Sequence, residues 1–254
     1  MLALATAAGV LGLLGLLVGS FLNVVVHRVP LGESIVSPPS RCPSCGTAVA
    51  RRDNIPVVSW LVLGGRCRSC GAKIALRYPL LELLCGLCFA ATALVTGFDS
   101  ELALALPFVA MLIAVAAIDL EHRVIPNKIL VPSAVWAVAG SALVRTSELP
   151  ELLVAGAGAF IALLLVALAH PAGMGMGDVK LAGVMGLYLG LSILPAMLVA
   201  FLAGTLVGLG IMAREGAAAR KQGVPFGPFL AVGGLVGLLA GPELIELYRD
   251  AFLS

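Results

Sequence analysis

Asp119 and Asp178 each stand where a long apolar run meets a short polar loop, and the second closes the run Gly173-Met174-Gly175-Met176-Gly177-Asp178. A carboxylate at a membrane boundary is costly unless it is paired, protonated or wetted, so an ionisable group in that position is a candidate for function. Two carboxyl groups that share a proton can divide acid and base work. One stays protonated while the other activates water for attack on an amide, and the pair titrates as a unit. Other uses remain open on these residues alone. Asp178 precedes Val179-Lys180-Leu181 and could cap a helix, and Asp119 could simply solvate an interface. In a proton- or cation-coupled transporter the same two groups would form an ion site, with the glycine run making a discontinuous helix. Such a carrier needs its carboxylates near the midplane, whereas both lie at the edges of apolar runs. The glycines do not make a nucleotide fingerprint, because that motif needs Gly-x-Gly-x-x-Gly after a strand.

A second constellation lies in the one sizeable polar segment, His27 to Arg77: Cys42-Pro43-Ser44-Cys45 and Cys67-Arg68-Ser69-Cys70, separated by 21 residues and followed by Gly46 and Gly71. Four thiolates on two tight turns suit a closed tetrahedral Zn²⁺ site with no open position for catalysis. Its role would be to fold a segment too small to build its own core. Cys85 and Cys88 sit inside an apolar run and read as packing residues.

The elements that position these groups follow from composition. Of 254 residues, 60% are hydrophobic and 12% charged, which excludes an ordinary soluble domain. Apolar stretches near the ~20 residues needed to cross a bilayer run from Leu4 to Val26, Leu80 to Thr96, Leu102 to Asp119, Ile129 to Val144, Leu152 to His170, Val179 to Leu194, Pro195 to Ala213 and Phe226 to Leu247. The sixth and seventh are one continuous block, divided at Pro195 because proline disrupts a helix interior. The first span, followed by His27 and Arg28, reads as a retained anchor.

All 16 Lys and Arg residues except Arg145 and Arg249 fall on alternate loops, from Arg28 to Arg77 and then at Arg123, Lys128, Lys180, Arg214, Arg220 and Lys221. Basic loops stay cytoplasmic. Both termini are therefore expected outside, with the cysteine loop and both aspartates on the cytoplasmic side. That side is reducing, so disulfides are not expected there. The basic residues serve topology and give no case for a nucleic-acid partner. Glu82 lies within reach of Arg77 along a helix and reads as half of an intramembrane ion pair.

The chain resembles the bacterial type IV prepilin peptidases, membrane aspartyl proteases of the glycine-x-glycine-aspartate kind. The resemblance rests on Gly19-Ser20-Phe21-Leu22-Asn23 with Arg28 and Pro30, and on the two cysteine pairs framing Asn54-Ile55-Pro56-Val57-Val58-Ser59-Trp60. It continues through Arg77-Tyr78-Pro79 with Glu82, Asp119 leading to Ile125-Pro126-Asn127, Gly175 to Lys180, and Pro225-Phe226-Gly227-Pro228-Phe229. It implies an all-α polytopic fold of about eight transmembrane helices, with a small cytoplasmic zinc-ribbon-like loop between the first two. The implied organisation is a first transmembrane helix at 1–26, a four-cysteine zinc-binding loop at 27–78 and a seven-helix aspartyl peptidase membrane domain at 79–254. Asp119 and Asp178 would be the catalytic pair and Cys42, Cys45, Cys67 and Cys70 the metal ligands. The implied activity is cleavage of prepilin and pseudopilin leaders after a glycine at the cytoplasmic face of the bacterial inner membrane. N-methylation of the new N-terminus from S-adenosylmethionine would follow. Gly19, Asn23 and the cysteine loop are the neighbourhood expected for the methyl donor.

Overall fold

A computed structural model describes residues 2–170, 173–215 and 224–252; Arg220 and Lys221 of the charge pattern lie outside them. The described residues form eight long helices and one short one, with no strand beyond two isolated bridges. They are α1 (Leu2–Arg28), α2 (Val58–Val62), α3 (Arg77–Thr96), α4 (Leu102–His122), α5 (Asn127–Val144), α6 (Leu149–Ala169), α7 (Met176–Leu189), α8 (Ile193–Glu215) and α9 (Gly227–Phe252). Seven segments among the described residues are long and apolar enough to cross a membrane, one of them, Met176–Arg214, holding both α7 and α8. The break inside it falls earlier than Pro195. Gly190 adopts a φ of 55° and opens a 3₁₀ turn over Gly190–Ser192, a conformation that suits glycine. Pro195 sits in the first turn of α8, where its missing N–H costs nothing.

The chain divides into two compact units, Met1–Leu102 and Ala103–Ser254. In the first, α1 and α3 lie backbone against backbone. A Cβ on Gly15 would come 2.6 Å from the Cys85 carbonyl oxygen, and one on Gly19 would come 2.7 Å from the Glu82 Cα. Without a hydrophobic drive between helices in lipid, small residues that permit such contact supply the packing. Cys85 is fully buried in this seam, which fits its reading as a packing residue. Thus α3, grouped by sequence with the six helices after it, takes its packing from α1.

The second unit is built around α4 and α7. Phe108, Leu112 and Val115 of α4 share one core with Leu181, Met185 and Tyr188 of α7 and with Leu230 and Ala231 of α9. The rings of Phe108 and Tyr188 stack at 4.6 Å, and the Tyr188 hydroxyl donates to the Ser133 carbonyl of α5 at 2.9 Å. These contacts hold α4 against α7, and the two aspartates stand at the other end of the pair, Asp119 in the last turn of α4 and Asp178 in the first turn of α7.

Candidate active site and metal centre

Asp119 is buried in the last turn of α4, at 6% exposure. The helix ends at His122, and Arg123 takes a φ of 54°, the left-handed residue that commonly terminates a helix. The chain then runs through Ile125 and Pro126 into α5. Asp178 lies in the first turn of α7, three residues after the N-cap Gly175. It therefore does not occupy the N-cap position. Gly177 lets this turn approach the exit of α4, because a Cβ there would lie 2.9 Å from the Cβ of Ile125. Asp119 and Asp178 stand within Coulombic range of each other. Next to them, Lys180 Nζ donates to Asn127 Oδ1 at 3.1 Å, joining α7 to the start of α5.

The two carboxyl groups are held differently. The Gly227 N–H, the first of α9, donates to Asp119 Oδ2 at 2.8 Å across 108 residues of sequence. That N–H is one of the helix-terminal donors with no partner inside its own helix. Any side chain at 227 would collide with the carboxylate, since its Cβ would fall 2.8 Å from Oδ2. Asp178 Oδ1, by contrast, is buried with no hydrogen-bond partner. Such orphaned acceptors are rare and call for an explanation. The arrangement offers one anchored carboxyl group and one free oxygen at the end of an apolar helix pair. Sequence reasoning gives Gly227 no role of its own, although a glycine between Pro225 and Pro228 is a local signal of an unusual backbone.

In the first unit the two cysteine pairs form matching knuckles. Cys42 N donates to Thr47 O and Gly46 N to Cys42 O, and the second knuckle repeats this with Cys67 N to Ala72 O and Gly71 N to Cys67 O, all at 2.8 or 2.9 Å. Gly46 and Gly71 both take a φ near 70°. The four Sγ atoms lie within 4.8 Å of one another, with Cys42 and Cys70 at 3.8 Å. A tetrahedron with Zn–S bonds of about 2.3 Å has edges of about 3.8 Å, so the set fits such an ion.

The sulfurs are electrostatically unequal. Thr47, through its hydroxyl and backbone, lowers the Cys45 thiol to about 6, and backbone hydrogen bonds from Cys70 and Ser69 hold Cys67 below the usual thiol range. At Cys70 the Ala72 amide pulls downward, but desolvation and the neighbouring sulfurs outweigh it and push the thiol up to about 12. Four thiolates this close need a cation among them. Arg68 clasps Asp53 at 2.7 and 2.9 Å, holding that carboxyl below its usual range chiefly through the hydrogen bond. The Trp60 Nε1 donates to Ile74 O at 3.2 Å. Cys85 and Cys88 take no part in the cluster. Glu82 accepts the Val57 N–H at 2.8 Å, and the Arg77 guanidinium lies over the Tyr78 ring.

Comparison with known proteins matches two family models to this chain. The Bacterial Peptidase A24 N-terminal domain covers residues 13–96, and the Type IV leader peptidase family covers residues 106–212. The chain belongs to the type IV leader peptidase family. It is 34% identical to a prepilin leader peptidase/N-methyltransferase of Bacillus subtilis over 240 residues, covering 94% of this chain and 96% of that one. A protein of the same description from Pseudomonas aeruginosa is 35% identical over 265 residues, 93% of this chain and 91% of the other. One from Myxococcus xanthus is 39% identical over 211 residues, 81% of this chain but 63% of that protein's length. No solved structure matches. The family is one of multi-pass bacterial inner-membrane proteins, in keeping with the seven apolar segments.

Proposed function

We propose that this chain removes the leader peptides of prepilins and pseudopilins, cutting after a glycine with Asp119 and Asp178 as the catalytic pair, and then N-methylates the new N-terminus. The observation that supports the reading is that one aspartate ends α4 and the other opens α7 within Coulombic range of it, with Asp178 Oδ1 free. One carboxyl group takes a proton from water as its oxygen attacks the scissile carbonyl carbon. The other, protonated, donates to the carbonyl oxygen. Collapse of the tetrahedral species breaks the C–N bond, and the amine leaves with a proton from the pair. The relatives are leader peptidases, and with both carboxylates at helix ends the transporter alternative has no support.

The metal is Zn²⁺ held by Cys42, Cys45, Cys67 and Cys70, and its contribution is to fold the loop. The methyl donor is S-adenosylmethionine, which supplies an activated methyl group. The charge pattern supports placing the loop and both aspartates at the cytoplasmic face, with both termini outside. The test is incubation of the purified protein in detergent with a prepilin and S-adenosylmethionine, reading the product N-terminus by mass spectrometry. A product beginning after the leader glycine and heavier by one methyl group is expected. An intact prepilin in the presence of well-folded protein would refute the reading.

A further inference from the structure

In the first unit, two buried acceptors lie one helical turn apart along the seam of α1 and α3. Gly19 packs on the Cα of Glu82, and one turn further along α1 the Asn23 Nδ2 donates to the Tyr78 carbonyl at 3.2 Å, one turn before Glu82 on α3. Asn23 is 5% exposed and Glu82 8%. The Asn23 Oδ1 is buried with no partner. The carboxyl group of Glu82 accepts from one backbone N–H, that of Val57. A buried carboxyl group answered by a backbone N–H, beside a buried orphan carbonyl, is costly, and groups of this kind persist where they serve a ligand.

The backbone that closes this corner is also strained. Val57 has φ 61° and ψ −52°, and the Val58 N–H reaches the Pro56 carbonyl at 2.6 Å. That combination is a γ-turn of the rare, strained hand, centred on a β-branched residue for which positive φ is an outlier. It turns the Val57 N–H onto Glu82. Strain of this kind collects at ligand clamps.

We propose that Asn23 and Glu82 form an ammonium-binding corner that holds one reactant of the methyl transfer, an inference that rests on the activity proposed above. An ammonium carries three donors and one positive charge, the complement of one carboxylate and one orphan amide oxygen. Hydrogen bonds between ionised partners are the strong ones. Two reactants of the methyl transfer carry such a group: the amino-acid end of the methyl donor and the N-terminus exposed by cleavage.

The test uses the full-length protein. Glu82→Gln keeps an oxygen for the Val57 N–H and removes only the charge, so a residue that merely ties the γ-turn down survives this change. Asn23→Ala removes the second acceptor. Both variants should retain zinc and cleave prepilin as the wild type does, while methylation falls about tenfold or more, the effect of losing a hydrogen bond to a charged group. Equilibrium dialysis with labelled S-adenosylmethionine separates the two sources. Weakened donor binding assigns the corner to the donor; unchanged donor binding with a raised KM for the cleaved chain assigns it to the new N-terminus. Glu82→Gln that methylates at the wild-type rate, or loss of zinc and cleavage along with methylation, would overturn the proposal. Failure of the underlying reading is distinguishable, because the wild-type protein itself would then leave the N-terminus unmethylated.

Discussion

At the scale of single residues, the anchoring of Asp119 by the Gly227 N–H is the contact most sensitive to change. Gly227→Ala would put a Cβ against the carboxylate at a distance real Cβ contacts do not reach. Displacing a reacting group by about 1 Å costs about 10²-fold in rate. We therefore expect kcat for prepilin cleavage to fall by that order, with zinc content unchanged, as measured by initial rates and metal analysis. The Asp53–Arg68 clasp gives a pH-dependent prediction in the other unit. Asp53 is depressed below its ordinary value of 3.8 by Arg68. Its contribution to loop stability is therefore present above that value and lost as pH falls through the depressed one. Asp53→Asn should weaken zinc retention at neutral pH, and the difference from wild type should begin to shrink only as pH falls below 3.8 toward the depressed value. The cysteine site was legible because all its information is local: two short motifs, each with a glycine at the turn. The Gly227 contact was not, since it joins residues 108 apart and uses a backbone group that no residue type advertises.

At the scale of helices, apolar run length located all eight long elements, because a span must satisfy its backbone internally and has only the helix with which to do so. The boundary between α7 and α8 went astray for a physical reason. Proline breaks a helix interior but is tolerated in a first turn, so the turn belongs to Gly190 and not to Pro195. Likewise, the partner of α3 is set by small residues that run length does not register. Gly15→Val would push a branched side chain into the Cys85 carbonyl, at a cost of about 1–3 kcal/mol for overpacking. We expect this variant to separate α1 from α3, read as lost disulfide trapping between cysteines introduced at exposed positions along the seam. Efficient trapping in the variant would show that the glycine stripe does not govern the pair.

At the scale of the whole molecule, the two family matches, 13–96 and 106–212, fall within the two compact units. The cysteine cluster belongs to the first unit and both aspartates to the second. Stripping the metal should open the loop, seen as a shift in Trp60 emission, while the aspartate pair keeps its packing and prepilin is still cleaved. Loss of cleavage on chelation, recovered with zinc, would mean that the peptidase site depends on the loop. The sequence already marked both aspartates as boundary carboxylates, yet only the packing of Ile125 on Gly177 brings their turns together.

The central claim is that Asp119 and Asp178 act as one catalytic unit, and Asp119 also caps α9 through Gly227. Asparagine separates these roles, since it keeps an acceptor for that N–H but cannot exchange the proton. The decisive measurement is the rate of prepilin cleavage by Asp119→Asn, Asp178→Asn and the double variant, each checked for folding by its zinc content and thermal unfolding. We expect each single change to cost on the order of 10³-fold or more and the double to cost no more than either, as for residues that work as a unit. A folded Asp119→Asn protein that still cleaves near the wild-type rate would contradict the claim and leave Asp119 with a structural role alone.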